Sequence, residues 1–148
     1  AGIGYDVASV RTGTFTGMLG TKATATLSFE EVDPKGYDGI LSVGGGGAQM
    51  HLWNDDLLAG MVKYFSASAK VVAAICLAPV VLARAGILKG KKATYFNSPA
   101  SFREMKAGGA LLVDKAVVSD GRILTANGPA AAAEFAETFI RTLTAVEW

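Results

Sequence analysis

Val71-Val72-Ala73-Ala74-Ile75 is an unbroken apolar run that leads through Cys76, the chain's one cysteine, to Pro79 and a second apolar stretch. Few local structures fit that order. Five partly β-branched residues with no polar partner read as a strand buried on both faces. Proline is tolerated in the first turn of a helix, where its missing N–H would have no partner anyway, so residues 80–85 read as helix. Cys76 then occupies a sharp strand-to-helix turn. It faces the positive end of a helix dipole and several unpaired N–H groups, a setting suited to a nucleophilic thiol. A small buried hydrophobe would fit the same position, since free cysteine is among the most buried residue types.

The rest of the chain arranges itself around that unit. Residues 5–10 read as a strand and residues 13–27, rich in Thr and Gly, as a small hairpin or irregular excursion. Ser28 followed by Glu30 and Glu31 suits one helical turn before Pro34. Residues 40–43 form a short apolar strand that ends in four glycines, Gly44 to Gly47. Asn54-Asp55-Asp56 offers a helix cap, and Leu57, Leu58, Met61, Val62 and Phe65 follow with the spacing of an amphipathic stripe. Gly86 sits where a helix C-terminal glycine belongs, and residues 91–96 read as the next strand. Ser98-Pro99 caps a helix to about Lys106, which Gly108-Gly109 ends. Short strands follow over residues 110–113 and 116–119. Asp120-Gly121 then turns the chain into a strand over residues 122–126. Asn127-Gly128-Pro129 opens a last helix whose face carries Phe135, Phe139, Ile140 and Leu143. Strands alternate with helices and are continuous apolar runs, so the expected fold is α/β, doubly wound, with a mostly parallel sheet covered on both faces.

Composition closes off several functions. The 148 residues suffice for one domain with its own core, and 51% hydrophobic against 18% charged residues excludes a disordered chain. The net charge is +1, and no basic run exceeds Lys89-Gly90-Lys91-Lys92, so nothing points to nucleic acid. No apolar run reaches the ~18 residues of a membrane span, and no signal-peptide pattern is present. One cysteine excludes an internal disulfide and fits a cytoplasmic setting. With His51 the only histidine, no Cys/His metal site can be built, and no cofactor is expected.

In a doubly wound sheet, ligands bind beyond the carboxyl ends of the strands. The glycine loop 44–47, Cys76 and the turn at Phe96-Asn97-Ser98 all fall there. The loop lacks both the Lys-Ser/Thr of a P-loop and the spacing of a dinucleotide fingerprint. Its glycines instead let backbone N–H groups approach a reacting centre, as in an oxyanion hole.

The strand 40–43 with Gly44-Gly45, the elbow Ala74-Ile75-Cys76-Leu77-Ala78-Pro79, the run 85–94 and the tail 120–129 together resemble the ThiJ/PfpI superfamily, which is class I glutamine amidotransferase-like. The resemblance spans essentially the whole chain. It implies a flavodoxin-like sandwich, usually a homodimer, with Cys76 as the elbow nucleophile. It also implies oxyanion-type N–H groups from Gly45 and Leu77. Several departures qualify it. Leu77 stands where protease-like and amidase-like members carry histidine, Phe96 or Asn97 where others do, and Gln49 where the protease branch has glutamate. The family's thiol-bonding glutamate follows a first strand that would precede Ala1. The chain is therefore expected to be a single domain, residues 1–148, lacking its N-terminal strand and helix, roughly 27 residues. That segment would lie on another chain or outside the 148 residues. A well-folded monomer with the intact mass of the 148 residues alone would contradict this.

No usual Cys–His dyad can be assembled. His51 is the remaining candidate base, on its own chain or across a dimer interface; an ordinary surface or interface histidine beside Trp53 is its alternative. Three functions follow. The first is Cys-dependent action, as hydrolase or lyase, on small carbonyl compounds or their adducts, glyoxalase- or deglycase-like. The second is non-enzymatic sensing of oxidative stress through oxidation of Cys76. The third is a chaperone-like or scaffold homodimer with an incidental cysteine. Peptidase or amidase activity ranks behind these, because a leaving amine must be protonated.

Overall fold

The computed structural model describes residues 3–16, 20, 22–44 and 47–144. In chain order the strands are β1 (Ala8–Ser9), β2 (Gly13–Thr16), β3 (Lys22–Ala25), β4 (Leu27–Ser28), β5 (Gly39–Ser42), β6 (Val71–Ile75), β7 (Lys92–Ala93), β8 (Leu111–Leu112), β9 (Val117–Asp120) and β10 (Ile123–Ala126). The helices are α1 (Asp56–Ala67), α2 (Pro79–Arg84), α3 (Pro99–Ala107) and α4 (Ala132–Thr144). Four strands make the central sheet in the order β5-β6-β10-β9. β6 runs parallel to both neighbours, with Val72 opposite Ile40 on one side and Ile123 on the other. β9 joins antiparallel through the turn at Gly121. The fold is α/β with a mostly parallel sheet, as the sequence predicts.

β6 is the centre of the core. Residues on a strand alternate between faces, and this one is sealed on both. Val72 and Ala74 join the cluster that contains α1 and α2 side chains, whereas Val71 and Ala73 pack with Leu124, Ala126 and Phe135 on the α4 side. All four are fully inaccessible. On α1 the side chains that enter the core are Leu58, Met61, Val62 and Phe65, each contributing about 1.5–3 kcal/mol. Leu57, expected in that stripe, is exposed instead. Asp55 caps the helix by accepting the Leu58 N–H. The single turn expected at Ser28 is a short 3-10 turn, Phe29–Glu31, with the Glu31 carboxylate accepting the Ser28 N–H.

Three expected strands are shorter than the sequence predicts; over residues 110–113 only Leu111–Leu112 pairs. Over residues 5–10 only Ala8–Ser9 pairs, in parallel with β4. The segment before it is held by side chains, with Asp6 accepting the Tyr37 hydroxyl proton at 2.5 Å. Over residues 91–96 only Lys92–Ala93 pairs, with β8. Beyond it the Thr94 N–H donates to the Thr125 hydroxyl and the Phe96 N–H to the Cys76 carbonyl, so the chain bends towards the elbow. The hairpin expected within residues 13–27 is present as β2 and β3.

Among the described residues β5 is an edge strand of the sheet. Beside it lies a groove of about 250 Å³, lined by Gly39 to Val43 and by Ala8, Ser9, Leu27, Leu58, Met61 and Phe65 among others. No helix among the described residues is long and apolar enough to cross a membrane.

Candidate active site

Cys76 follows β6 directly and precedes the proline that opens α2. Its φ is +66°, in the left-handed region, where a non-glycine residue pays about 1–2 kcal/mol. The turn is braced from three directions. Its N–H donates to the Ala126 carbonyl at the end of β10 (2.9 Å), and its carbonyl accepts the Phe96 N–H (2.8 Å). The Ala78 N–H closes the turn on the Ile75 carbonyl (3.1 Å). The cysteine is free and partly exposed. A residue at the C-terminal end of a central parallel strand, held in strained backbone ahead of a helix, has the geometry of a nucleophile elbow.

The glycine loop reaches this turn. A Cβ at Gly44 would lie 2.6 Å from both the Cys76 Cβ and the Ile75 carbonyl oxygen, and 3.0 Å from the Leu77 nitrogen. Only glycine fits there. Gly45, the expected oxyanion donor, lies outside the described residues. Leu77 is partly buried against the core, and its carbonyl accepts the Trp53 indole N–H at 2.9 Å.

Among the described residues no hydrogen bond joins the side chains of the remaining candidates to the thiol. His51 is exposed on a π-helical turn, Ala48–Leu52, with its ring near Gly47. Among the described residues no hydrogen bond joins it to Cys76. Gln49 is exposed on the same turn. Phe96 contributes its backbone N–H to the elbow while its ring is largely exposed; the Asn97 side-chain oxygen accepts from the Tyr95 hydroxyl at 3.4 Å. Burial holds the Tyr95 phenol above its ordinary value. A hollow of about 520 Å³ adjoins the elbow through Phe96 and Asn127, with Tyr95, Phe102 and Leu112 in its wall and Asp114 the one carboxylate. Among the described residues no cluster of His, Cys, Asp or Glu is arranged to hold a metal ion.

Sequence reasoning did not find Arg84 and Glu104. Arg84 ends α2, and its Nε and Nη2 donate to the two Glu104 carboxylate oxygens at 2.7 and 2.9 Å. That fork lowers the Glu104 pKa below the ordinary carboxylate value and raises that of Arg84. The available signal was one cation in an otherwise apolar helix.

This arrangement can add a thiol to an electrophile beside backbone N–H groups. Among the described residues it offers no hydrogen-bonded imidazole to protonate a leaving amine. Comparison with known proteins agrees with the fold. The model of the DJ-1/PfpI family matches residues 1–142. An uncharacterised protein of Methanocaldococcus jannaschii is 46% identical over 147 residues, which is 99% of this chain and 70% of that protein. A deglycase of Thermococcus kodakarensis is 34% identical over 138 residues, 93% of this chain and 81% of that protein. The crystal structure of a ThiJ/PfpI domain protein from Brachyspira murdochii superposes with a TM-score of 0.90 at 34% identity, over 96% of this chain and 80% of that one.

Proposed function

Because this chain belongs to the DJ-1/PfpI family, we propose that it is a deglycase-like protein in which Cys76 adds to small carbonyl compounds or releases their adducts. The observation that carries this is the elbow itself, with Cys76 at φ +66° and Gly44 packed against it. Relatives named as deglycases support it. In the thiol step the Cys76 sulfur supplies an electron pair to the carbonyl carbon and an S–C bond forms. The C=O π pair moves to oxygen, that alkoxide takes a proton from water to give a hemithioacetal, and the hydroxide left is neutralised by the proton the thiol lost on becoming thiolate. N–H groups of Leu77 and Gly45 are the proposed donors to the developing oxyanion. His51 takes no part in this step on its own chain. The proposed assembly is a homodimer in the cytoplasm.

The test is methylglyoxal consumption by wild type and Cys76→Ser, run beside peroxide titration with intact mass. Cys76-dependent consumption is the expected result. Oxidation confined to Cys76, without Cys76-dependent consumption, would replace this function by redox sensing. There the thiolate takes one oxygen from peroxide to give sulfenate, and water leaves. The sensing alternative draws on the partial exposure of Cys76 and on the absence, among the described residues, of a hydrogen bond from it to His51. An inert thiol in both assays would leave the scaffold role.

We also propose that one further strand, supplied by sequence outside the 148 residues, beds along the open edge of β5. Its support is the groove that β5 shares with β1 and β4. Amide exchange at residues 39–43 tests it. A chain extended at its N-terminus should protect amides that exchange freely in the 148-residue chain, and equal protection would contradict the proposal.

A further inference from the structure

Glu104, Arg84 and Trp53 form one connected bridge that ends on the elbow. The guanidinium clasped by Glu104 also donates through Nη1 to the Trp53 carbonyl at 3.3 Å and to the Asn54 side-chain oxygen. Its central carbon lies 5.7 Å from the Trp53 ring centroid. Trp53 is 7% exposed, and its indole N–H donates to the carbonyl of Leu77, the residue after the nucleophile. Trp53 also belongs to the arm that begins at the glycine loop, since its own N–H donates to Ala48. The arm therefore meets the elbow at two points. One is the contact of Gly44 with Cys76, and the other is the Trp53 bond to Leu77.

From this we infer that Trp53 is a positioning residue: its indole N–H, steadied by the Arg84–Glu104 pair, holds the glycine-loop arm against the elbow so that backbone N–H groups from both converge on one oxygen. The inference rests on the carbonyl-addition function proposed above. Trp53 does not touch the reacting atoms. Its effect is on the aim of donors that do, and small displacements of such donors cost rate steeply.

Two reactions of the same thiol separate positioning from general stability. Addition to a carbonyl builds negative charge on oxygen at the elbow, whereas alkylation by iodoacetamide sends the charge away with iodide. Trp53→Phe keeps most of the apolar bulk and removes the N–H. It should slow methylglyoxal addition about tenfold while leaving iodoacetamide alkylation within about twofold. Arg84→Lys keeps the charge but loses the fork, and it should lower the addition-to-alkylation ratio in the same direction by about threefold. This second variant decides the matter if Trp53→Phe does not fold. Equal losses in both reactions, or no change in either, would overturn the inference while wild-type addition stands. A wild type with no Cys76-dependent addition would overturn the proposed function and the inference together.

Discussion

The two ends of β6 hold the same unusual backbone for different reasons. Among the described residues, Ala69 (φ +56°) and Cys76 (φ +66°) are the non-glycine residues in the left-handed region, and they bracket the strand. Ala69 ends α1: the Lys70 N–H reaches back to the Phe65 carbonyl and the Ala69 N–H to that of Ser66. Glycine usually fills such a position, and the exposed methyl of Ala69 does nothing glycine could not. At Cys76 the conformation aims a side chain that glycine lacks. Strain at the entrance to β6 orients no side chain that glycine would lose, and strain at its exit orients the Cys76 side chain.

The sharpest way to break this contrast is Gly44→Ala. The new methyl would press on the Cys76 Cβ and the Ile75 carbonyl. It should destabilise the fold by about 1–3 kcal/mol and slow carbonyl addition about a hundredfold. Methylglyoxal kinetics beside urea denaturation would read both. Addition at the wild-type rate would mean that the loop does not shape the site.

Glycine substitutions probe the strain directly. Ala69→Gly should stabilise by about 1 kcal/mol, the reverse of the usual loss. Cys76→Gly should be more stable than Cys76→Ala by about the same amount, with no thiol reaction in either. Urea midpoints check both. A Cys76→Gly protein less stable than Cys76→Ala would show an unstrained elbow.

The Arg84–Glu104 pair adds an acid limb to the stability at the exit end. Hydrogen bonding to Arg84 holds the Glu104 pKa below its ordinary 4.5. The folded state therefore binds the carboxylate form preferentially. The pair's contribution is complete above that ordinary value and is lost as pH falls through the lowered one. Thermal melts should show wild type losing its advantage over Glu104→Gln between neutral pH and about pH 3. A constant difference would contradict the pair's role. The smallest effect is expected at His51: His51→Gln should leave the iodoacetamide rate and its pH profile unchanged, and a slower rate would make His51 the base after all.

The strand–cysteine–helix unit was legible because burial on both faces of β6 demands an unbroken apolar run and Pro79 fixes where α2 starts. Ser98, Gly86 and Asp120-Gly121 were equally plain, since each has one local job. The short extents of β1 and β7 were not legible. Beyond β7 the backbone N–H groups go to Thr125 and the Cys76 carbonyl, and beside β1 Asp6 is bound by Tyr37, partners 20 or more residues away in sequence. Cys76 and the adjoining glycine loop were found because chemistry of this kind collects at strand ends. The bridge of Glu104, Arg84 and Trp53 was hidden for the opposite reason. Its members come from three separate segments, and no spacing rule unites them.

Titration with carbon-13-labelled methylglyoxal under NMR tests the central claim most directly, that the elbow presents Cys76 for carbonyl addition. Wild type should give a new hemithioacetal carbon resonance that saturates with the thiol and is missing from Cys76→Ser. A spectrum with no such resonance, or the same one in Cys76→Ser, would contradict it.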